Sequence, residues 1–160
     1  MNKLIFPLRT QRAHQRGAVA VELAIVAVVM LLIVAGAIGF GRAYWYADAL
    51  TKATRDGARL LTTWPKATIE SKGMAAAQTL SLNAANAANI TPALTTSNVV
   101  VECLSSAFNV VLCVDETAPA NVRVRITAVS LNLSEWFPFV GGQAFGSVGL
   151  SPATTMRYMN

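Results

Sequence analysis

From Ala18 to Gly41 the chain runs for 24 residues with a single charged side chain, Glu22. A bilayer core about 30 Å thick is crossed by roughly 20 apolar residues in a helix, so this run is long enough to span it. A carboxylate inside such a helix costs a few kcal/mol at mid-depth and less near the interface. Glu22, five residues into the run, therefore asks for a cationic partner. An ordinary secretory signal peptide is the competing reading, with Ala35-Gly36-Ala37 as a small-x-small cleavage site. Two features oppose it: the run exceeds the roughly 7–15 residues of a signal core, and such a core has no use for a glutamate.

Charge is distributed unevenly around this segment. Lys3, Arg9, Arg12 and Arg16 precede Gly17 with no acidic residue among them, whereas the chain from Ala18 onward holds nine Lys/Arg against eight Asp/Glu. The basic pI of about 9.7 is thus largely a property of the first 17 residues, which argues against nucleic acid as a partner. Arg42, Lys52, Arg55 and Arg59 follow the span, so the positive-inside count is close to a tie. The cysteines decide the orientation. Cys103 and Cys113 match no CxxC redox or metal spacing, and the only histidine, His14, is far away. In an exported chain such a pair reads as one disulfide, with two buried free thiols as the alternative. The disulfide reading puts the leader in the cytoplasm and the C-terminal half in an oxidising compartment.

The segment RGAVAVELAIVAVVMLLIVAGAIGFGRAYWYADALTKATRDGARL carries a resemblance. A short basic leader ending in Gly17, then Ala18, then a glutamate at the fifth position after that glycine resembles a type IV prepilin-peptidase site. The continuation through Gly41-Arg42, Ala49-Leu50, Ala53, Arg55 and Gly57-Ala58-Arg59 is similar to TadE-like pseudopilins of the tight-adherence (Tad, or Flp) pilus system. The similarity is specific over residues 16–59 and weak over 151–158, where Ala153-Thr154-Thr155-Met156-Arg157-Tyr158 is similar to the family's C-terminus. Leu23 departs from the pattern, since relatives often carry an aromatic residue there.

The resemblance implies cleavage between Gly17 and Ala18 by a prepilin peptidase on the cytoplasmic side. Cleavage would create an α-ammonium at Ala18, close to one helical turn from Glu22. An opposite charge at about 4–6 Å favours an ionised carboxylate and offsets its desolvation. The amine belongs either to the same chain or to a neighbouring subunit. The bland alternative leaves Glu22 in the headgroup layer with no partner. The implied organisation is a leader over 1–17, a transmembrane helix over 18–41 and an extracytoplasmic α+β domain over 42–160, single-pass in a bacterial inner membrane with the C-terminal domain in the periplasm. The implied partners are the peptidase, other pilins or pseudopilins, and the pilus assembly platform.

Past the span, Tyr44, Trp45 and Tyr46 fall where an interfacial aromatic belt would lie, or else pack on the soluble domain. Tyr46, Leu50, Ala53, Gly57, Leu60 or Leu61, and Trp64 recur at helical spacing, with Asp48, Lys52, Arg55, Asp56 and Arg59 on the other faces. Helix therefore continues to about Trp64, where Pro65 ends it. Residues 71–88 are alanine-rich and predict a short second helix with Ser71 as N-cap, and 89–97 read as a loop.

The remainder is strand-like. Residues 99–103 and 109–114 predict a hairpin that a Cys103–Cys113 bond would tie, stabilising by roughly 2–4 kcal/mol. Residues 122–127 alternate with period two and place Arg123 and Arg125 on one face, expected to be plain solvated surface. Trp136-Phe137-Pro138-Phe139-Val140-Gly141-Gly142 reads as an apolar loop, before a last strand within 146–157. The expected fold is α+β and type IV pilin-like: a long N-terminal helix and a short second helix packed on a small antiparallel sheet.

Nothing in the residue pattern supplies an active site. His14 lies in the leader, Asp115-Glu116 sit in a loop without acid–base or metal partners, and no glycine stretch is followed by the Lys-Ser/Thr of a phosphate loop. No enzyme activity, cofactor, metal or small-molecule substrate is expected. Two functions compete: a minor pseudopilin that assembles a pilus, and an uncleaved, signal-anchored periplasmic module that binds a partner outside any filament.

Overall fold

The computed structural model describes residues 11–132 and 147–160. The aromatic loop expected at 136–142 lies outside them. The chain divides into two compact units, Met1–Gly39 and Phe40–Asn160. Helix α1, Gln11–Thr62, contributes to both. In the first unit its large apolar side chains are exposed throughout, Leu23, Leu31 and Ile33 among them. This helix is long and apolar enough to cross a membrane, and hydrocarbon is the solvent in which such a surface is stable.

The second unit is α+β. Strand β1 (Val99–Leu104) is followed by β2 (Val110–Val111), β3 (Asn121–Ile126), β4 (Val129–Asn132), β5 (Ser147–Leu150) and β6 (Ala153–Arg157). Four of these form an antiparallel sheet in the order β2-β1-β3-β6, while β4 and β5 pair separately. Alternation in β3 turns Val122, Val124 and Ile126 into the core. There they meet two helical surfaces in two adjoining clusters. One gathers Leu50, Ala53 and Ala58 of α1 with Val99, Val124 and Ile126, and the other Leu61 and Ala77 with Cys103, Cys113 and Val122. The expected α+β layout of a long apolar helix, a short second helix and a small antiparallel sheet is the one observed.

Helix α2 runs Met74–Asn86 and buries Ala77, Ser81 and Ala85, a row of small residues one turn apart. That row lets α2 approach α1 closely at Gly57. A Cβ there would overlap Ser81 Oγ and lie 3.0 Å from the Ala77 carbonyl oxygen. Buried hydroxyls at this packing surface are satisfied: Ser81 donates to the Ala77 carbonyl at 2.8 Å, and Thr54 meets Thr154 of β6 at 2.9 Å.

Four local expectations are corrected. The second helix starts at Met74, not at 71, because Pro65 is followed by a 3-10 turn (Lys66–Thr68) and a wide π turn (Ile69–Gly73). Ser71 is accordingly no N-cap: Gly73 precedes α2, and no side chain caps it. The last strand is two strands, β5 and β6, divided at Ser151-Pro152, where the Pro152 carbonyl accepts the Ile126 N–H at 3.0 Å. Finally, Arg123 and Arg125 are not plain solvated surface, since both engage Glu102 (below).

Candidate functional site

Gly17, Ala18 and Glu22 lie on one exposed stretch of α1. Ala18 and Glu22 stand four residues apart, which in a helix makes them neighbours on one face, about 5–6 Å between Cβ atoms. The Gly17 position is open: a Cβ there would meet nothing within 4 Å, and the same holds at Gly36 and Gly41. Glycine inside a helix costs about 1 kcal/mol relative to alanine. Gly57 has a packing reason for that cost, and so has Gly73, where a Cβ would lie 2.8 Å from Trp64 Cδ1. Gly17 has none within the fold.

In the second unit the structure joins Cys103 to Cys113 in a disulfide, with a Cα–Cα distance of 5.3 Å. It ties β1 to β2 and buries both sulfurs under the Leu61 cluster. The aromatic trio divides: Tyr44 and Trp45 are exposed, whereas Tyr46 packs against the Leu50 cluster.

Three arrangements escaped the sequence reading. Register places Glu102 opposite Arg123, and its carboxylate receives Arg123 Nε at 2.7 Å and Arg125 Nη2 at 3.0 Å. Asp115 reaches back 45 and 44 residues, its Oδ1 accepting the N–H of Glu70 at 2.7 Å and of Ser71 at 3.3 Å. The Ser71 side chain chiefly holds the Asp115 carboxyl below its ordinary range; desolvation opposes it, and the two amides add to the lowering. The C-terminus closes over the end of α1. Tyr158 donates its hydroxyl to the Trp64 carbonyl at 2.6 Å, the Met159 N–H donates to Thr62 at 3.1 Å, and the Asn160 amide donates to Thr63 at 3.3 Å. These groups satisfy carbonyls that a helix end otherwise leaves to water. Burial of Tyr158 pushes its hydroxyl up from the usual value. On the exposed side of α1, Lys52 pairs with Asp48 at 2.6 Å, and that hydrogen bond and charge hold the ammonium above its ordinary value.

Among the described residues, no three or more His, Cys, Asp or Glu side chains converge as a metal site would require. What the chain presents is a helix long and apolar enough to cross a membrane, and a small, disulfide-tied α+β unit. Residues 17–59 match the family model of the TadE-like protein, so over this segment the chain is similar to that family. No curated protein and no solved structure matched the chain.

Proposed function

We propose that this protein is a minor pseudopilin required for assembly of a Tad/Flp-type pilus, matured by a prepilin peptidase that cuts between Gly17 and Ala18. The observation that carries the reading is the family match, which begins at Gly17, the residue before the proposed scissile bond. The surroundings of Gly17 are open, as a position read by a peptidase requires, although Gly36 and Gly41 are open as well.

In this reading residues 1–17 are the leader, 18–41 cross the inner membrane and 42–160 form the periplasmic domain. The Cys103–Cys113 bond supports an oxidising compartment for that domain. Cleavage converts the Ala18 nitrogen into an ammonium one turn from the Glu22 carboxylate. The pair then offsets the cost of holding either charge at the membrane boundary. If the amine comes from a neighbouring subunit, the same pairing sets the axial register of α1 helices in the assembly.

Mapping the mature N-terminus with and without a prepilin peptidase tests this. A start at Ala18 that depends on the peptidase is expected. An intact leader would mark a signal-anchored binding module, and a start at Ile38 an ordinary secreted protein. Gly17→Phe should retain residues 1–17. Glu22→Val should insert in the membrane normally yet fail to co-purify with pili, and normal incorporation of that variant would remove Glu22 from the mechanism.

A further inference from the structure

Along the exposed surface of α1 the chemistry changes in a definite order. From Leu23 to Gly41 no side chain is charged, and the large apolar ones are all exposed. That is 19 residues, close to the roughly 20 that cross a bilayer core as helix. Arg42 then carries the first charge and is exposed. Phe40 is 77% exposed, Tyr44 78% and Trp45 63%. One turn further, Asp48 and Lys52 form an exposed ion pair. Phe40, Tyr44, Asp48 and Lys52 recur at four-residue spacing and so share one face of the helix, while Arg42 and Trp45 are neighbours three residues apart. Down that surface the side chains pass from apolar, through aromatic rings with polar tips, to an ion pair. A membrane changes in the same order, from hydrocarbon through headgroups to water. The scale agrees as well: residues 42–46 rise about 6 Å along the helix, and a headgroup layer is roughly 5–8 Å thick.

We infer that Arg42, Tyr44 and Trp45 form an interfacial anchor that binds the phospholipid headgroup layer where α1 leaves the hydrocarbon. The inference rests on the reading that residues 18–41 cross the membrane. Water would satisfy the Tyr44 hydroxyl and the Trp45 indole N–H but leave both rings exposed. Hydrocarbon would cover the rings and leave the donors unmet. The headgroup boundary does both, which is why such rings collect there. Arg42 adds a planar guanidinium suited to phosphate oxygens. Tyr46, the next residue after Trp45, turns the other way and packs against the Leu50 cluster. The anchor is thus joined to the folded core of the second unit with no linker between them, and it holds that unit at a fixed depth on the lipid surface.

The test reconstitutes the full chain in phospholipid vesicles, with Trp64→Phe/Trp136→Phe leaving Trp45 as the only indole. Acyl chains brominated near the headgroup should quench Trp45 fluorescence at least twofold more than chains brominated at their ends. Aqueous iodide should quench it at least twofold less than free tryptophan. Adding Arg42→Leu/Tyr44→Leu removes two of the three anchor residues and should draw Trp45 inward, bringing the two brominated lipids close to equal. Should Trp64→Phe unsettle the fold, fluorotryptophan labelling of the otherwise unaltered chain reads the same depth from spin-labelled lipids. Quenching of Trp45 by iodide alone would place it in water, and quenching by neither agent would place it under protein, a second copy included. Either result overturns the anchor, as does an unchanged lipid ratio in the Arg42→Leu/Tyr44→Leu variant. A separate chain with Leu31→Trp as its only indole reports the crossing itself and should be quenched most by the chain-end bromines. Failure there removes the membrane span and the anchor with it, whereas failure at Trp45 alone removes the anchor and leaves the span.

Discussion

Residues 17–39 and residues 46–62 belong to one helix, yet they obey different rules. In the first stretch apolar side chains point outward on every face, and neither Gly17 nor Gly36 has a neighbour within reach of a Cβ. In the second, Leu50, Ala53, Ala58 and Leu61 are fully buried, Gly57 touches α2, and charged residues occupy the remaining face. Helical backbone is common to both, so it does not explain the difference. The surroundings do. A segment bathed in lipid needs apolar surface in all directions and tolerates many apolar substitutions, whereas a segment packed on a sheet needs particular sizes at particular positions. Small residues in the two halves are thus not equivalent, although the sequence writes them alike.

Valine at the two kinds of glycine tests this contrast most severely. Gly57→Val should force α1 and α2 apart and destabilise the second unit by about 3 kcal/mol, the upper range for overpacking a filled contact. Gly36→Val, with open space around it, should leave the thermal midpoint of that unit unchanged. Equal losses at both positions would erase the distinction. Next in size is the disulfide. Replacing Cys103 and Cys113 together by serine should cost about 2–4 kcal/mol in a denaturant titration. That loss should fall on the sheet and the Leu61 cluster, leaving the helicity of residues 17–39 intact by amide exchange.

The contrast also explains what the sequence disclosed and what it withheld. Helix α1 was legible because its signals are local: an uncharged run, then apolar residues at helical spacing, then Pro65. The Cys103–Cys113 pairing was legible because two β-rich runs flank one short turn. The Glu102 cluster was not, because it depends on the register between β1 and β3, 21 residues apart. Asp115 looked like half of an idle acidic pair until folding brought it to the Glu70–Ser71 turn, a function no local pattern encodes. For the same reason Ser71 looked like an N-cap, when the turn it occupies is capped from elsewhere. Ser151-Pro152 did carry a local signal for a break between strands, and it divides β5 from β6. At Gly17, Ala18 and Glu22 the sequence was informative in another way. Their pattern resembled a processing site.

Smaller effects probe how the packed half of α1 is finished. Tyr158→Phe removes the hydrogen bond to the Trp64 carbonyl and should cost about 1 kcal/mol at neutral pH. Burial raises the Tyr158 pKa, so the unfolded chain deprotonates first and the contribution of this group, complete below about pH 10, declines as pH rises further. Wild-type and Tyr158→Phe stability should therefore converge in alkaline solution. A constant gap across that range would mean that the hydroxyl contributes nothing there beyond packing.

The smallest effect belongs to Asp115, a half-buried carboxylate held by Ser71 and by the amides of Glu70 and Ser71. Its pKa is lowered in the folded state, so its contribution is present above the unfolded value near 4 and disappears as pH falls through the folded one. Asp115→Asn keeps an acceptor oxygen but loses the charge. Its thermal midpoint should sit slightly below the wild type at pH 6, and the difference should shrink as pH drops below about 4. The same variant should leave residues 17–39 unaltered, because in that half of α1 the solvent, not a cap on a distant turn, sustains the helix. A parallel change in amide exchange there would join the two halves into one cooperative unit and break the contrast between them.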